Sequence, residues 1–90
     1  MYPQFMYFLR AYCTLTLYEE EMWNVIREFK QHESDEIKQQ LFSELQAIKN
    51  EESWDRVVEW IREYGNREFS IQNAKGWISF LISELQKEKA

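Results

Sequence analysis

The sequence predicts an all-α chain, a compact bundle of four long helices preceded by a short N-terminal one. Three observations carry this expectation. Apolar residues recur three and four positions apart along most of the chain, while the alternation of a half-buried strand is absent. Helix breakers are scarce, with Pro3 the only proline and Gly65 and Gly76 the only glycines. Polar capping residues stand where one apolar stripe gives way to the next. Ninety residues make one domain, spanning 1–90. A chain of this size buries only about 60–65% of the surface that its unfolded form exposes. Six Phe, five Tyr and four Trp supply the burial, so neither a metal nor a disulfide is needed to complete a core.

Each helix follows from its own pattern. Pro3 suits a first helical position, and Phe5, Phe8, Leu9 and Tyr12 then share one face. Thr16-Leu17-Tyr18-Glu19 reads as a capping box opening a second helix, whose stripe is Met22, Val25, Ile26 and Phe29 and whose end falls near Gln31-His32. Ser34 caps a third helix, with Asp35 and Glu36 in the first turn where the helix dipole favours acids. Its stripe is Ile37, Leu41, Leu45 and Ile48. Ser53 caps the fourth, which buries Trp54, Val57, Val58 and Ile61 and stops at Gly65. Asn66 to Gln72 is expected as a loop packing Phe69 and Ile71, before a fifth helix from about Asn73 to Lys87 with Ile78, Leu81, Ile82 and Leu85 inward.

No catalytic apparatus is legible. His32 is the single histidine and lies near a helix end, where a surface or dipole-stabilised role is usual. Cys13 is the single cysteine, with no histidine to activate it; among Phe8, Leu9 and Tyr12 it reads as a small buried hydrophobe. Neither glycine belongs to a phosphate-binding loop. The acids are dispersed among lysines and arginines rather than gathered at metal-ligand spacing. The expectation is a protein that is not an enzyme and carries no cofactor and no metal. The first thirteen residues lack a basic leader and a small-residue cleavage site and are too short to span a bilayer, which predicts a cytoplasmic chain.

Charge narrows the partner. The net charge is −5, and residues 1–63 hold thirteen acids against seven bases. Phosphate contacts supply most nucleic-acid affinity and need Lys and Arg, so nucleic acid is an unsuitable ligand and a basic protein a suitable one. Stepping roughly 100° per residue along the fourth helix, Glu52, Asp55, Glu59 and Glu63 project within about 80° of one another, opposite the apolar stripe. Like charges at i and i+4 cost a helix about 0.2–0.5 kcal/mol per pair, a cost that a basic partner offsets. The same row also reads as an ordinary solvated face neutralised by Arg56 and Arg62. Trp60 lies about 100° off the centre of the apolar stripe, beside Glu59 and Glu63, as Tyr7, Phe42 and Phe80 are displaced on their own helices. Such aromatics close the rim of a small core or anchor an interface. Glu19, Glu20 and Glu21 form a second acidic cluster.

The order of these features resembles a known family. Pro3 followed by Phe8-Leu9-Arg10-Ala11-Tyr12, then a Trp-containing helix with Trp23-Asn24-Val25-Ile26-Arg27-Glu28-Phe29, is similar to the opening of small helical immunity proteins from bacterial contact-dependent growth inhibition systems. A Leu-rich helix from Leu41 to Ile48 and a closing amphipathic helix continue the pattern. Where many members follow the Tyr with an aromatic-His-Gln-Asp segment, this chain reads Cys13-Thr14-Leu15-Thr16. The resemblance implies neutralisation of a cognate toxin domain, commonly a basic nuclease, in a 1:1 complex between monomers. Glu52, Asp55, Glu59, Trp60, Glu63, Glu19 and Glu20 are the residues expected to meet it. A different class fits the same residues, a helical adaptor or regulatory subunit that docks a partner through an apolar groove.

Overall fold

Backbone groups at a helix end need partners from outside the helix, and where the chain finds them sets the architecture. A computed structural model describes residues 2–15, 19–65 and 67–87. Its elements are α1 (Pro3–Ala11), a 3₁₀ turn (Cys13–Leu15), α2 (Glu19–His32), α3 (Asp35–Glu51), α4 (Trp54–Gly65) and α5 (Ile71–Lys87). The described residues are thus all-helical, with five α-helices. The leading helix, at nine residues, is the shortest of them.

Two helices begin on local caps. Ser34 Oγ accepts the Ile37 N–H at 3.3 Å from extended backbone. Ser70 Oγ accepts the Asn73 N–H at 3.1 Å, and its carbonyl accepts the Ala74 N–H at 2.9 Å. The second cap starts α5 two residues earlier than the sequence predicts. Ile71 therefore enters the first turn and stands 44% exposed, whereas Phe69, just outside the helix, is buried. The expectation that both residues pack inward holds for Phe69 only. Before α4, the Ser53 carbonyl accepts the Arg56 and Val57 N–H groups. The predicted Thr16 capping box falls on 16–18, outside the described residues.

α1 has no local side-chain cap. Glu44, from the middle of α3, reaches across instead. Its two carboxylate oxygens accept the N–H groups of Gln4 at 3.1 Å and Phe5 at 2.9 Å, and Gln4 Nε2 donates to Gln40 Oε1 at 3.0 Å. A negative charge there also faces the positive end of the helix dipole. At the other end of α1, Tyr7 and Tyr12 hydroxyls both donate to Glu33 Oε2, at 2.7 and 2.5 Å. Both supports come from residues more than twenty positions away in sequence.

α5 is the central helix, packing against α2, α3 and α4, while α1 lies on α3 and α4. The predicted stripes are the buried ones, with Tyr12, Ile37, Trp54 and Val58 half-buried at their edges. The stripe of α5 is wider than predicted, because Ala74 and Trp77 are also fully buried. Trp77 lies stacked on Phe8, with 6.0 Å between ring centroids, and edge-on to Phe69 at 5.5 Å. Its indole Nε1–H donates to the Met22 carbonyl at 2.8 Å. Buried Glu84 pairs with Lys87 at 2.9 Å and Lys30 at 3.8 Å, and Lys30 Nζ also donates to the Glu84 carbonyl at 3.0 Å. These bonds hold its carboxyl below the usual carboxylate range, Lys87 contributing most.

Gly65 serves a purpose other than the one predicted. It ends α4 without a positive φ, so it is not a left-handed stop. A Cβ on Gly65 would lie 3.3 Å from Leu9 Cδ2 and 3.7 Å from Cys13 Cβ, so its bareness lets α4 close on α1. Gly76, inside α5, has room by comparison, its would-be Cβ meeting only Trp23 Cη2 at 3.7 Å. The two glycines should therefore respond oppositely to alanine. Gly76→Ala is expected to raise unfolding free energy by about 0.5–1 kcal/mol through helix propensity. Gly65→Ala is expected to lower it by about 1 kcal/mol through crowding of buried Leu9. Urea denaturation of both variants checks the pair.

Candidate acidic interface

The row that the fourth helix was expected to carry exists in shortened form. Asp55, Glu59 and Glu63 are exposed on α4, on the side away from buried Val57 and Ile61. Among the described residues no ion pair joins Arg56 or Arg62 to the row, although helical spacing allowed it. The three acids stand exposed without a direct ion pair.

Glu52 does not belong to that row. It caps the C-terminus of α3 in the left-handed region, φ 58° and ψ 26°, with its N–H donating to the Ile48 carbonyl at 3.2 Å. Ser53 separates it from α4, so helical stepping does not extend back to it. It is exposed and near the start of the row, but its direction is set by the α3–α4 corner. A non-glycine residue in this conformation costs about 1–2 kcal/mol.

Glu20 and Glu21 are exposed on α2, whose main interface is with α5, whereas α4 lies against α1 and α5. Glu19 opens α2, but its side chain lies outside the described residues.

Trp60 is half-buried, its ring 5.8 Å from Tyr2 at 66°. Tyr2 stands immediately before α1, so this aromatic pair ties the middle of α4 to the start of α1. Burial, and then a hydrogen bond to Glu51, raise the Tyr2 phenol above its ordinary value. Of the other displaced aromatics, Phe42 and Phe80 are half-buried rim residues, with Phe80 5.2 Å from Trp23, and Tyr7 is 42% exposed.

Cys13 and Glu33 serve the fold. Burial drives the Cys13 thiol well above its ordinary value, which removes the thiolate on which reactivity depends. His32 is exposed in the last turn of α2. Glu33 is the notable group that sequence reasoning missed. Hydrogen bonds from Tyr12 and then Tyr7 hold its carboxyl below the usual range, and Tyr12 is raised by burial and then by Glu33. Nothing local marks this cluster, because its members lie on α1, at the C-terminal edge of α1 and at the end of α2. Among the described residues no group of three or more His, Cys, Asp or Glu side chains could hold a metal ion, and no helix is long and apolar enough to cross a membrane. Comparison with protein-family models, with curated proteins and with solved structures finds no match.

Two expectations follow from this geometry. Because Glu33 is depressed in the folded state, it contributes stability above the carboxylate range that is lost as pH falls through its folded value. Glu33→Gln should cost about 1 kcal/mol at pH 7, allowing for a half-exposed carboxylate, and the gap from the unaltered chain should shrink toward pH 3. Denaturant titrations at the two pH values measure it. Glu52→Gly should raise unfolding free energy by about 1 kcal/mol, since glycine adopts the left-handed corner without steric cost; thermal melts of the variant check this.

Proposed function

We propose that this chain is an immunity protein that binds a cognate contact-dependent growth inhibition toxin domain and neutralises it in the cytoplasm. The toxin domain is a basic nuclease, and the complex is 1:1. The inhibitor performs no chemistry and needs no cofactor. Nucleases grip phosphate with lysines and arginines, so an acidic helical surface has complementary charge without any reacting group. The supporting observation is the exposed row of Asp55, Glu59 and Glu63, which makes no direct ion pair among the described residues, beside half-buried Trp60. Unpaired rim acids speed encounter, and a well-packed aromatic slows release. Glu52 joins the face at its edge, and Glu20 on α2 adds to the acidic surface.

The adaptor reading asks for a long apolar groove. Tyr7 and Ile71 are the large hydrophobics among the described residues that stand exposed, and they sit on α1 and at the start of α5. That is too little continuous apolar surface to seat a partner helix by itself, and the acidic row favours immunity.

The test is co-expression with the C-terminal domain encoded immediately upstream, scored by growth and copurification. Rescue of growth with a stable complex is expected. A Glu59→Lys/Glu63→Lys double variant should retain its melting temperature while its association rate falls by about tenfold or more and loses salt dependence. Unchanged affinity together with unchanged salt dependence would remove the row from the interface, and absence of toxicity or of rescue would overturn the reading.

A further inference from the structure

We draw no further inference here: the strongest candidate, the open depression at the α3–α4 corner where exposed Lys49 and Lys75 flank half-buried Trp54 beside Asn50, Ser79 and Glu52, sets a carboxylate among its lysines and has Lys75 already over the Trp54 ring, and nothing in the structure shows what occupies it.

Discussion

An indole fully removed from water needs an acceptor for its N–H, and this requirement organises the molecule. Trp77 finds its acceptor in the Met22 carbonyl on α2. The same ring lies against Phe5 and Phe8 of α1 and against Phe69 in the segment before α5. One side chain thus sets the distance of α5 from three other parts of the chain. Burial of a ring this size contributes about 2–3 kcal/mol, while an unmet indole donor would cost about 1–3 kcal/mol, so the packing is stabilising only if the hydrogen bond is made. A slide of α2 along α5 would move the Met22 carbonyl away from the indole.

Around that centre, the acids divide by what they face. Glu44, Glu33 and Glu84 turn inward and answer specific donors: two backbone N–H groups, two phenols and two lysines. They do not drive association of α1 with the bundle. Phe5, Phe8 and Leu9 do so, each fully buried and each contributing about 1.5–3 kcal/mol. A hydrogen bond to a carboxylate nets about 1.5–3 kcal/mol at best and less where solvent reaches it. The carboxylates orient α1 and fix its axial position, and apolar burial holds it. The acids of α4 have no such internal partner among the described residues. That contrast, more than the overall charge, distinguishes a surface open to a partner from one consumed by the fold.

Gly65 and Glu52 show the difference between a residue type and its use. Glycine at a predicted helix end suggests a left-handed stop, yet Gly65 has no positive φ, and a Cβ there would stand a tight 3.3 Å from Leu9 Cδ2. The left-handed corner falls instead on Glu52, a residue with no special aptitude for it. Ending α3 there lets the chain turn at Ser53 and start α4 along α1, which keeps Trp60 against Tyr2 and the acids outward. The strain sits where the direction of the acidic helix is decided.

By itself the sequence determined the helical class, the five apolar stripes and the Ser34 cap, because period and capping act over three or four residues. It also placed Asp55, Glu59 and Glu63 opposite Val57 and Ile61, since helical phase is a local quantity. Only the tertiary structure decided that Glu52 leaves that row, that Glu44 caps α1, that Glu33 gathers two tyrosines, and that Trp77 sits at the core. Each of these joins groups far apart in sequence, and the closure that brings them together depends on side-chain volume and donor position across elements.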